Sequence, residues 1–149
     1  MLPPPATAVA RLAARAALGL QDDTLALCIV ASLFKYKGHA DLLAALGGIR
    51  GQLRTPWRLM VIGRDEGVGD KLLKQAVAEG IADNIAWLGE RSDVGFLLPA
   101  MDIALLTSHE EGFSNSLLET LAHGIPTIAT AVGGNLDAIV NGETGLLVP

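Results

Sequence analysis

The chain has a single cysteine, Cys28, among its 149 residues, so no disulfide can form within it. That thiol sits in the apolar run LALCIVAS, where it reads as a small buried core group, and a reducing, cytoplasmic setting fits. Aromatic residues are scarce, at 4% of the chain, so the core has to be built from Ala, Val, Ile and Leu. Positive charge is short as well: 11 Lys and Arg stand against 16 Asp and Glu, a net charge of −5. This excludes the basic face of a nucleic-acid binder, and a phosphate ligand would have to be held by local geometry. No stretch reaches the ~18 uninterrupted apolar residues of a membrane span. The opening MLPPPATAVARLAARAALGL carries two arginines, but its prolines make a poor leader and no long apolar segment follows. Residues 1–21 read instead as a linker running into a helix. Two glycine signatures are also missing. Where a dinucleotide site needs G-x-G-x-x-G there is SLFKYKG, and no G-x-x-x-x-G-K-[ST] string occurs. His39, His109 and His123 lie far apart, so a zinc site is not expected.

Half of the residues are hydrophobic and 18% are charged, which suits one well-buried domain. Short apolar runs alternate with helical periodicity. Strands are expected at 25–33, 57–63, 84–89, 102–108 and 126–132, with a sixth beginning at 146. Helices are expected at 39–53, 70–81, 93–101 (interrupted near Pro99), from Ser114 or Asn115 to Gly124, and briefly within 133–145. Regular alternation predicts an α/β fold, a doubly wound, Rossmann-like parallel sheet of about six strands with helices on both faces. In such folds ligands lie outside the carboxyl ends of the strands. The loops to inspect are therefore FKYKGH, RDEGVG, ERSD, SHEEGFSN and GGN.

The fourth of these carries the most chemistry. Ser114 and Asn115 are both good N-caps, and a helix beginning there points its free N–H groups out of the sheet edge, a setting for phosphate. Gly112 lets backbone approach a ligand. Glu111 precedes the turn and Glu119 follows about one helical turn later. A carboxylate only accepts, and a sugar hydroxyl donates, so two acids bracketing an anion site can grip a phosphorylated sugar. Glu119 could take two hydroxyls, as from a ribose.

EGFSNSLLE resembles the E-x7-E signature of the retaining glycosyltransferases of GT-B fold, the "group 1" or family 4 set. LFKYKGHADLLAAL is similar to that family's R-L-x-x-x-K-G loop and helix, LMVIGRDEG to its L-x-I-x-G-x-G turn, and ETLAHGIPTIATAVGG to its E-A-M-A-x-G-x-P-V-V-A-T-x-V-G-G run. NIAWLGERSDVGFLLPAMDIALLTSHEEGF and NGETGLLVP match further segments in order, so the likeness covers roughly residues 22 to 149. The resemblance implies that residues 22–149 are the donor-binding, C-terminal half of such an enzyme. Its acceptor-binding half would precede it, and helices would follow GLLVP. By the same likeness, Glu119 holds the ribose, and Glu111 the donor-sugar hydroxyls near the anomeric carbon. Gly112, Phe113, Ser114 and Asn115 meet the sugar and diphosphate, and Lys37 neutralises the departing diphosphate. Trp87, Leu88 and Arg91 lie beside the base. The donor is a nucleotide-diphosphate sugar, and no cofactor or metal is implied.

Two departures stand out. The family pairs its loop lysine with an arginine five positions earlier, where this chain has Ser32. Either Ser32 donates a neutral hydrogen bond, or Arg64 compensates from the next loop, or donor binding is weaker. And 149 residues leave no room for an acceptor-binding half, so little transfer is expected from this chain alone. Any membrane-surface association would run through that other half, and a severed partner-facing surface could pair artificially. Two further readings remain open from the residues: a non-catalytic nucleotide-sugar binding module, and half of a sugar-nucleotide epimerase.

Overall fold

The structure, a computed structural model, describes residues 6–149; the proline segment at 3–5, read as linker, lies outside the described residues. The first helix, α1 (Ala8–Ala17), is capped by Thr7, whose hydroxyl accepts the Ala10 N–H at 3.1 Å. It is packed into the domain through Ala14 and Arg15, both buried.

Six strands follow: β1 (Leu25–Val30), β2 (Trp57–Ile62), β3 (Ile85–Gly89), β4 (Ile103–Leu106), β5 (Thr127–Thr130) and β6 (Gly145–Val148). Every pairing is parallel, and the order across the sheet is β3-β2-β1-β4-β5-β6. The connections carry α2 (His39–Ile49), α3 (Gly69–Ala78), α4 (Val94–Leu97), α5 (Asn115–Ala122) and α6 (Asn135–Ala138). This is the doubly wound, Rossmann-like sandwich that the alternation predicted.

Alternate residues of each strand serve opposite faces, as period-2 geometry requires. Leu27 and Ile29 of β1 join Leu59 and Val61 of β2 under α2 and α3. Ala26 and Cys28 face the other way, with Met60 and Ile62, against α1 and α4. Leu106, Ala129 and Leu117 form a smaller cluster beneath α5 and α6. Burial holds the Cys28 thiol up, to about 12, so it stays protonated as a core group. Opposite α5 and α6 the sheet is open: Leu27, Ile103, Leu105, Ile128 and Val148 line an apolar groove of about 530 Å³.

The elements are shorter than the apolar runs suggested. The run 25–33 stops being a regular strand at Val30, yet Leu33 still donates its N–H to the Arg64 carbonyl at 2.8 Å. The helix expected over 39–53 ends at Ile49, because the glycines at 47, 48 and 51 weaken its last turns. The segment 93–101 is one short helix followed by a 3-10 turn, Leu98–Ala100, around Pro99.

Candidate functional site

The strand order reverses between β1 and β4, so the loops that leave those two strands splay to opposite sides and open a crevice at the carboxyl edge. The β1 loop enters α2 through a 3-10 turn, Lys35–Lys37, and Gly38. Gly38 has φ +72°, and a Cβ there would lie 1.8 Å from the Thr107 carbonyl oxygen, so only glycine lets the two loops approach this closely. They are then stitched together. The Thr107 hydroxyl donates to the carbonyls of Lys37 and Gly38, and the His109 N–H donates to the Tyr36 carbonyl at 2.7 Å. His109 also meets Asp41 of α2 through their side chains.

A second pair of glycines fixes the far side of the β4 loop. The Gly134 N–H donates to the Gly112 carbonyl at 2.9 Å. At Gly133, φ is +48°, and an added Cβ would meet the Glu111 carbonyl oxygen at 1.6 Å. Ser114 is the N-cap of α5, its hydroxyl accepting the Leu117 N–H at 3.2 Å. The amides of Asn115 and Ser116 are thus left without a partner among the described residues, as the first turn of a helix dictates.

Between these loops lies a cavity of about 310 Å³ lined by Ser32, Phe34, Tyr36, Lys37, Glu111, Phe113, Ser114, Asn115 and Ser116, with Val30 and Ala31 at its base. The Lys37 ammonium donates to both oxygens of Glu111, at 3.1 and 2.9 Å. The buried Ser108 hydroxyl donates to the same carboxylate at 2.8 Å. Lys37 Nζ also stands 5.4 Å from the centre of the Tyr36 ring, which stacks on Phe34. Behind the loop His39 is buried, and neither ring nitrogen has a hydrogen-bond partner among the described residues. Burial pushes its pKa down to about 4, against a weaker upward pull from the Ala31 carbonyl, and nearby Lys37 adds to the depression. His39 is neutral at physiological pH.

Of the residues singled out from sequence, Ser32, Lys37, Glu111, Phe113, Ser114 and Asn115 share this cavity. Gly112 holds the loop backbone beside it. Glu119 lies one turn after Asn115 on the same side of α5, exposed, its carboxylate unpartnered among the described residues. The remaining four lie outside the cavity. Trp87 lines a separate hollow with Gly63, Asp65 and Gly89. Leu88 packs on the opposite face. Arg91 is engaged by Asp93 through two bonds of 2.7 Å. Arg64, which might have replaced the missing arginine, is held by Glu66 at 2.6 Å. β3 is two strands from β1, about 10 Å at ordinary strand spacing. The sequence reading missed Ser108, Tyr36, Thr107 and His39. Only Tyr36, flanked by lysines in KYK, left a local signal.

Known proteins share this sequence pattern and fold. The D-inositol 3-phosphate glycosyltransferase of Stackebrandtia nassauensis is 35% identical over 147 residues, which is 93% of this chain and 33% of that protein. The chain therefore spans about a third of the length of the curated relatives it matches. Among solved structures, WaaG, a glycosyltransferase involved in lipopolysaccharide biosynthesis, superposes with a TM-score of 0.86 at 28% identity, covering 95% of this chain and 38% of WaaG. HepE of Anabaena, solved in complex with UDP and glucose, shares the fold with a TM-score of 0.85 at 24% identity, over 95% of this chain and 39% of its own. The family model for the glycosyl transferases group 1 matches residues 11–149, from within α1 onward, and this chain belongs to the group 1 glycosyl transferases.

Proposed function

We propose that the switch-point cavity binds the diphosphate and sugar of a nucleotide-diphosphate sugar, and that the whole protein transfers this sugar to an acceptor with retention of configuration. One observation carries the reading. Lys37 and Glu111, 74 positions apart in sequence, meet beside the unpartnered amides of α5 at the point where strand order reverses.

Each group has a task that follows from its chemistry. The amides of Asn115 and Ser116 and the helix dipole favour an anion. The Lys37 ammonium adds a mobile charge that strengthens its hold as negative charge builds on the departing diphosphate. Protein groups neutralise that charge in this reading, and no metal is needed. Glu111, acceptor only, takes sugar hydroxyls. Glu119, on the Asn115 side of α5, takes the ribose diol. The end of β3 and its loop, with Trp87, Leu88 and Arg91, lie a nucleoside's reach away and are assigned the base. Ser32 supplies a neutral hydroxyl where the family pattern has an arginine, and Arg64 lies outside the cavity, paired with Glu66. The acceptor site is assigned to parts of the protein beyond the matched third.

Calorimetric titration with UDP, GDP and ADP and with their glucose conjugates tests the reading. Binding of at least one, with preference for one base, is expected; no heat from any of them at about millimolar ligand sinks it.

A further inference from the structure

The ion pair that marks the cavity also occupies it. The Glu111 side chain is 8% exposed and that of Lys37 18%, so the pair is largely shielded from water. Lys37 is the only cation among the residues lining the cavity, and position 32 contributes a hydroxyl instead of a second charge. A diphosphate entering here therefore competes with Glu111 for the Lys37 ammonium. With nothing else bound, that exchange strands a nearly buried carboxylate whose sole remaining side-chain donor is Ser108. An unpaired buried charge is costly. A sugar ring on the same diphosphate brings hydroxyl donors to the place where the ammonium was.

Resting on the functional reading above, we infer that Glu111 is an internal competitor for Lys37, and that donor recognition is an exchange of partners: the diphosphate takes the ammonium and the sugar hydroxyls take the carboxylate. The exchange makes recognition conditional on the sugar. A bare nucleoside diphosphate, or pyrophosphate, displaces Glu111 without satisfying it and binds weakly. An intact nucleotide sugar satisfies both ions. Once the sugar has left, Glu111 reclaims Lys37 and expels the spent nucleotide, so the pair that admits the donor also promotes product release.

The test compares the wild-type protein with Glu111→Gln, which keeps the shape and one acceptor oxygen, turns the other into an amide donor, and lacks the charge that competes for Lys37. Each is titrated with inorganic pyrophosphate, UDP and UDP-glucose, or with the GDP or ADP counterparts if those are the bases bound. Wild type is expected to prefer the nucleotide sugar over the nucleotide by about tenfold, the scale of a hydrogen bond to a charged group. In Glu111→Gln, pyrophosphate and the nucleotide should bind about tenfold tighter than to wild type, and the preference for the sugar should collapse to about twofold or less. Pyrophosphate and nucleotide binding no tighter than wild type overturns the inference while leaving the functional reading intact. No binding of any of the three to wild type overturns both. Should Glu111→Gln fail to fold, Ser108→Ala decides: it keeps both charges and removes the donor that steadies a stranded Glu111, so the nucleotide-sugar preference must rise, and an unchanged preference overturns the inference.

Discussion

Strand β4 is flanked by two carboxylates with opposite fates. Asp102, at its amino end, is saturated with protein donors, although its side chain is 27% exposed. One oxygen accepts from Arg11 at 2.6 Å, and the other accepts the Ala26 N–H at 2.7 Å with Arg15 at 3.6 Å. Arg15 is itself buried and donates to the carbonyls of Ala100, Gln21 and Thr24. Glu111, at the carboxyl end, has one cation and one hydroxyl, and it faces a cavity. The amino-edge cluster ties α1, β1 and the start of β4 together with no space for a ligand. The carboxyl-edge pair leaves an ammonium, a carboxylate and two helix amides beside open volume. Charged residues of similar type therefore do structural work at one end of a strand and, in the proposed function, recognition work at the other. What differs is whether their bonding capacity is used up by the protein.

Arg15→Ala should break the saturated end. It removes a buried cation and strips donors from three carbonyls, so stability should fall by about 3–5 kcal/mol in urea unfolding. The unfolding midpoint must move, while nucleotide affinity of the folded protein should not.

His39 provides an enclosed group at the open end, and it predicts a pH dependence. Its folded pKa of about 4 lies below the ordinary 6.5, so the unfolded chain takes up the proton first as pH falls. The stability it contributes is complete above about pH 6.5 and is lost progressively towards pH 4, amounting to about 3 kcal/mol. Unfolding midpoints of wild type and His39→Leu between pH 7 and 4.5 check this. The variant should lose less stability over that range, and parallel curves would remove His39 from the account.

Lys37→Ala should reverse the pattern seen for Arg15. Donor affinity should drop by about 2–3 kcal/mol in calorimetry, with a stability loss smaller than that of Arg15→Ala because Lys37 donates to one carboxylate, whereas Arg15 donates to three backbone carbonyls. Glu119→Ala sharpens the comparison most finely. An exposed, unpartnered carboxylate has nothing to lose on folding, so the midpoint should shift by less than about 0.5 kcal/mol. Nucleotide affinity should fall by about 1.5–3 kcal/mol. An unchanged affinity would take Glu119 out of the ribose role.

Much of this was legible along the chain. The uninterrupted apolar runs around Cys28 and Val61 could only be strands covered on both faces. Ser114 and Asn115 both read as caps of α5, and Ser114 is the one that serves. The motif around Glu111 and Glu119, with LFKYKG upstream, pointed to the family, and the family match displaces the epimerase alternative. The site was less legible. From sequence, the loop after β4 stood out for its chemistry, but Trp87, Leu88, Arg91 and Arg64 were also assigned to the donor site, beyond the catalytic pair Lys37 and Glu111. Pairing of Lys37 with Glu111 had no local sign, because each was assigned a different part of the ligand. Ser108 looked like the tail of an apolar strand.

The residues by themselves determined the parallel α/β sandwich, since period-2 and period-3.6 patterning and turn glycines act over short range and leave few other ways to bury that much Ala, Val, Ile and Leu. Only the tertiary structure decided which loops make the site. Strand order is a long-range property: it set β1 beside β4, brought Lys37 onto Glu111 across 74 positions, and sent β3 with Trp87 and Arg91 two strands away. The close approach of Gly38 to Thr107, and of Gly133 to the Glu111 backbone, then held that meeting in place.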